Sequence, residues 1–104
     1  MYRFKSKADG DLMMMTGVGD QILRLIGREP SPTGIIEAAA LPQAIRALEE
    51  AIAAAELARR DSKGAEPDED ERGAEAIGLQ QRAWPMLEMM RRSLAERADI
   101  VWGV

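Results

Sequence analysis

The sequence predicts an α+β domain: an N-terminal β-hairpin, a short helix, a short strand, two long antiparallel helices and a C-terminal strand, with the helices packed on one face of a small sheet. Three observations carry that prediction. Apolar residues recur at helical spacing over two long stretches, residues 41–60 and 79–98. Two short runs flank Asp9-Gly10 as paired strands would. The closing Ile100-Val101-Trp102-Gly103-Val104 is β-branched and aromatic, the composition of a strand. The 104 residues suit one domain, 1–104, with one modest core.

Asp9-Gly10 is a strong two-residue hairpin signal, because a type I′ turn needs positive φ at both central positions. With Ala8 facing Asp11, Ser6 pairs with Met13 and Phe4 with Met15 on the expected core face. Lys7 then pairs with Leu12 and Lys5 with Met14 on the other face, where lysine stems cover apolar neighbours and keep their ammonium groups in water. The sheet is therefore expected to be covered on one side only.

Val18, Ile22, Leu25 and Ile26 give a short helix that begins near Gly17 to Asp20 and stops at Gly27. Residues 28–33, with Pro30 and Pro32, make an extended linker, and Gly34-Ile35-Ile36 a brief strand. The first long helix starts at Leu41 or Pro42 and runs to Arg60. Its stripe of Leu41, Ala44, Ile45, Leu48, Ala51, Ile52 and Ala55 is rich in alanine, so a second helix can approach closely.

That second helix is the stretch from Leu79 to Ala98. Leu79, Ala83, Met86, Leu87, Met90 and Leu94 fall within roughly one 100° sector, the width of a core-facing stripe. Opposite lie Gln81, Glu88, Arg92 and Glu96, with Glu88 and Arg92 in the favourable i to i+4 order. Pro85 takes away the helical donor to Gln81 and is expected to bend the helix there. Trp84 and Met89 project to opposite flanks of the stripe, so one packed face cannot bury both.

Formal net charge is −4, and it is local. Residues 61–73 hold six acids against Lys63 and Arg72, which leaves the remainder neutral. The segment from 61 to 76 reads as a mobile acidic linker between the two long helices. No clustered basic face of the kind that phosphate backbones require is visible, and nucleic acid is not an expected partner. The chain has no cysteine and no histidine, which removes disulfides, thiolate nucleophiles, imidazole bases and the usual zinc or haem ligands. No apolar run of signal-peptide or membrane-span length is present, so a cytoplasmic protein is expected, without a membrane partner.

Two motifs tempt and fail. Gly17-Val18-Gly19 has the setting of a dinucleotide fingerprint, but the third glycine would fall on Ile22, and a glycine-eased strand-to-helix turn is the simpler reading. Asp68, Asp70 and Gly73 overlay three positions of a calcium loop whose fifth position is Arg72 and whose twelfth is Leu79, so no specific metal is expected. No catalytic, cofactor-binding or metal residue is assigned, and the leaning is away from an enzyme.

The segments Tyr2-Arg3-Phe4-Lys5-Ser6, Leu25-Ile26-Gly27, Gly34-Ile35-Ile36, Gln81-Arg82-Ala83-Trp84-Pro85 and Ile100-Val101-Trp102-Gly103-Val104 resemble a family of small proteobacterial proteins known as domain of unknown function eighteen-forty. The resemblance spans nearly the whole chain apart from the acidic segment. It implies a cytoplasmic bacterial protein and carries over no functional residue. The expected function is a non-catalytic protein–protein interaction module, homo-oligomeric, using the flank around Trp84 with Met89 or Arg91 as companions. The alternative is a small-ligand binder or minor enzyme with a pocket between sheet and helices.

Overall fold

The computed structural model describes the backbone of residues 1–61 and 69–103, and the side chains of 1–58 and 78–103. Strands β1 (Tyr2–Ser6), β2 (Asp9–Met14), β3 (Gly34–Ile36) and β4 (Ile100–Trp102) form an antiparallel sheet in the order β2-β1-β4-β3. Helices α1 (Thr16–Leu25), α2 (Leu41–Asp61) and α3 (Glu69–Ala95) pack on one face of it, which is the α+β arrangement expected. The last strand in sequence is thus interior in the sheet, flanked by β1 and β3.

The sheet alternates by the rule of period two. Tyr2, Phe4, Met14, Ile36, Ile100 and Trp102 are buried on the helix side and join Ile22, Leu23, Leu41, Leu48, Met86 and Met90 in one core. Phe4 stacks on Tyr2 and meets Trp102 edge-on, each with ring centroids 5.6 Å apart. Trp102 also donates its indole Nε1–H to the Ser31 carbonyl at 2.9 Å. It lies across Gly34, its partner on β3, so closely that a Cβ at that position would overlap the ring.

The hairpin register differs from expectation. Phe4 pairs with Leu12 instead of Met15, and Tyr2 with Met14, a slip of three residues. An odd slip exchanges the faces of a strand. Leu12 and Met14 therefore turn to the core, while Met13 and Met15 are exposed. The turn is Lys7-Ala8, closed by the Ala8 N–H on Ser6 Oγ at 3.1 Å, and neither residue has the positive φ of a type I′ turn. Asp9-Gly10 was misleading because Asp9 has long-range work: its Oδ1 accepts the Gly10 N–H at 2.8 Å, and its Oδ2 pairs with Arg92 of α3 at 3.0 Å. The register shifts between Phe4 and Ser6, where Gly10 and Asp11 supply the extra residue on β2.

Helix α1 closes as its sequence suggested. Gly27, with φ of 84°, donates to the Arg24 carbonyl and Arg28 to that of Leu23, the paired bonds of a Schellman stop. Gly17 and Gly19 lie inside this helix rather than in a turn before it, with Gly19 buried against the Tyr2 ring. Helix α2 matches its predicted span, preceded by a 3-10 turn at Ala38–Ala40.

Helix α3 begins ten residues earlier than Leu79 and runs through Pro85 without interruption. Residues 69–76, assigned in sequence to the acidic linker, have helical backbone. Their opening Glu69-Asp70-Glu71 suits the positive end of a helix, and Ala74 to Ile77 contains no proline to stop it. The rest of the linker, residues 62–68, and Asp68 of the calcium-like motif lie outside the described residues, as do the side chains of Asp70 and Arg72. The expected Glu88–Arg92 pair is replaced, since Arg92 reaches Asp9 and Glu88 pairs with Arg91 at 3.6 Å.

Because β4 is an interior strand, shortening the chain to end at Asp99 removes two ladders and the buried Ile100 and Trp102. The expected cost is about 4 kcal/mol or more, enough to unfold a small domain. Urea denaturation of the shortened chain measures it; an unchanged midpoint would contradict this topology.

Candidate functional site

On α3 the surplus of apolar side chains is resolved asymmetrically. Met89 is 1% exposed and Trp84 48%. Met89 is therefore core and is removed from the interaction surface expected from sequence. The helical wheel placed it correctly to one side of the stripe, but neighbouring elements cover that side. Trp84 and Arg91 remain together at the surface, two helical turns apart.

Their geometry is built by both long helices. The Arg91 guanidinium lies 5.6 Å from the centroid of the Trp84 ring. Its Nη2 is 3.2 Å from Glu49 Oε2 on α2, and its Nη1 is 3.6 Å from Glu88 Oε1 one turn before it. Each contact is partly solvated, so the cation–π term is worth about 0.5–1 kcal/mol and each ion pair less than about 1. Together they set the Arg91 cation over one side of the indole, and the ring stays half open to solvent. Beside the ring is a surface hollow of about 450 Å³ lined by Gln80, Gln81, Trp84 and Pro85. The hollow sits where Pro85 deprives the Gln81 carbonyl of its helical donor.

A second hollow, of about 490 Å³, lies between β1, α1 and the linker and is lined in part by Tyr2, Thr16, Asp20, Pro30 and Pro32. The Tyr2 hydroxyl donates to Asp20 Oδ1. That hydrogen bond, then burial, then the Asp20 charge hold the Tyr2 phenol above its ordinary value, against an opposing effect of Arg24. Asp9 is moved the other way, below the usual carboxylate value, by the Gly10 N–H and by Arg92. A third hollow, of about 470 Å³, is lined by Lys5, Ser6, Lys7, Arg97, Ala98, Asp99 and Val101. Arg97 has φ of 53°, standing where the C-terminal stop of α3 would ordinarily take glycine.

Inside the core, Ser93 is fully buried on α3 and shares a 2.7 Å hydrogen bond with the Ser6 hydroxyl. No buried side-chain nitrogen or oxygen lacks a partner among the described residues. Among the same residues no three acidic groups cluster as metal ligands would, and no helix is long and apolar enough to cross a membrane. Sequence reasoning singled out Trp84 and Arg91, which the structure brings together, but gave no sign of Glu49 or of the hollow beside Pro85. An exposed carboxylate on a neighbouring helix has no local signature, although Pro85 next to Trp84 could have pointed to the hollow.

A family model described as domain of unknown function (DUF1840) matches residues 1–102, and the chain belongs to that family. No curated protein and no solved structure matches it.

The Tyr2–Asp20 bond makes stability depend on pH at the alkaline end. A phenol whose folded value lies above the ordinary 10.0 contributes stability that is complete below pH 10 and lost as pH rises through the raised value. Tyr2→Phe should be less stable than wild type at neutral pH, with the gap narrowing above pH 10. Parallel urea titrations across that range check this, and a constant gap would show that the hydroxyl does not carry the effect.

Proposed function

We propose that this DUF1840 protein is a non-catalytic interaction module that self-associates through the face of α3 around Trp84, in the cytoplasm of a bacterium. The observation that carries the proposal is a half-exposed tryptophan with Arg91, itself paired with Glu49, against its ring and an open hollow beside it. Tryptophan and arginine are the residue types that dominate interface energies, and a tryptophan ring has few rotatable bonds to order on docking. Self-association is favoured because Gln80, Gln81, Trp84 and Pro85 carry no charge in a chain that is 31% charged. A two-fold axis can bring such a patch against its own copy without opposing like charges. The bacterial and cytoplasmic parts of the proposal rest on the family resemblance.

Light scattering after size exclusion, over a wide concentration range, tests this on wild type and Trp84→Ala. The expected result is a wild-type oligomer and a folded monomeric variant, with a melting temperature changed little because the ring is half in water. A wild-type monomer at every concentration, or an oligomer indifferent to the substitution, would overturn the proposal.

A further inference from the structure

The helix-free face of the sheet is not an ordinary polar surface. Strand alternation places Arg3 and Lys5 of β1, Met13 of β2, Ile35 of β3 and Val101 of β4 on it. Met13 is 56% and Ile35 39% exposed, and Met15, 70% exposed, continues the β2 row where the backbone is still extended. Three of the six large exposed apolar side chains of the described residues thus share one face. Cations run between them. Arg3 and Lys5 stand on an interior strand, Lys7 follows at the turn, and Arg97 shares a hollow with Lys5, Lys7 and Val101. The face is therefore a basic column along β1 with methionines on one side and Val101 and Ile35 on the other. Asp11 on the outer strand and Glu37 beyond Ile35 sit at its margins, and the one acid lining that hollow, Asp99, already accepts the Ala38 N–H on its Oδ1 at 2.8 Å.

We propose that this sheet face docks an acidic amphipathic helix from a protein partner, with the helix's carboxylates over Arg3 and Lys7 and its flanking apolar side chains over Met13 and over Val101 and Ile35. The spacing suits a helix. Alternate residues of a strand are about 6.7 Å apart, and residues four apart on a helix about 6 Å. A helix is also what packs on the face of a sheet, whereas an extended peptide adds at an edge. The β3 edge is already blocked in part by Arg28, whose Nη1 donates to the Ile35 carbonyl at 3.2 Å. A second copy of the same face is disfavoured, since it would bring two basic columns together. Single-stranded nucleic acid needs aromatic stacking platforms, and Tyr2, Phe4 and Trp102 all point to the opposite, helix-covered side. A lipid surface favours apolar groups at the centre with cations at the rim, the reverse of this pattern.

The test is binding to the full-length protein by fluorescence polarisation and by amide chemical shifts. The probes are a synthetic amphipathic peptide with glutamates four apart flanked by leucines, its glutamine counterpart, an oligouridine strand and phosphatidylcholine vesicles containing phosphatidylserine. The acidic peptide should bind about tenfold more tightly than the glutamine peptide and perturb amides of β1, β2 and β3. Arg3→Gln/Lys7→Gln should weaken it by about tenfold. Met13→Gln should weaken it as well, while Arg46→Gln on α2 should not. Each variant's melting curve separates lost binding from lost fold. Equal binding of the two peptides, indifference to Met13→Gln, or preferential binding of the RNA strand or the vesicles would overturn the proposal.

Discussion

The position of Trp102 is the constraint on which the rest of this structure depends. Three residues of β4 have to pair with β1 on one side and β3 on the other, and Trp102 ties both to the linker through its bond to Ser31. Its ring fills the space that Gly34 leaves empty and meets Phe4 at the centre of the core. A strand this short contributes few hydrogen bonds, so its place is fixed by side-chain burial more than by backbone pairing. Both hairpin strands and the 28–33 linker take their positions from it.

Much of this fold was legible because helical and strand periods leave a mark on sequence that needs no tertiary information. The α2 stripe, the Gly27 stop and the strand character of the closing residues follow from local pattern, whereas the strand order, which puts β4 between β1 and β3, does not. The hairpin register did not, because the Asp9-Gly10 turn signal competed with burial of Leu12 and Met14 and lost. Turn propensity amounts to about 1 kcal/mol, and two buried side chains contribute more. The start of α3 was missed for a related reason: residues 69–76 have the acidity of a linker but the propensity of a helix. Of the surface residues, Trp84 and Arg91 were found together and Met89 was not one of them, since a wheel cannot show which flank a neighbouring element covers.

Two surfaces result, and they differ in chemistry. The α3 face is small, with an uncharged hollow beside one ring and the Arg91–Glu49 ion pair at its flank. The open sheet face is broader, basic along β1 and apolar at its flanks. They lie on different layers of the fold, so occupancy of one leaves the other accessible.

The most direct test of the central role of β4 is native-state hydrogen exchange read at individual amides. If the strand is the interior element on which the sheet depends, the bonded amides of Ile100 to Trp102 and their partners in β1 should exchange only through global opening, with free energies equal to that of unfolding. Exchange of those amides at the rate of a frayed chain end, with β1 and β2 still protected, would contradict it.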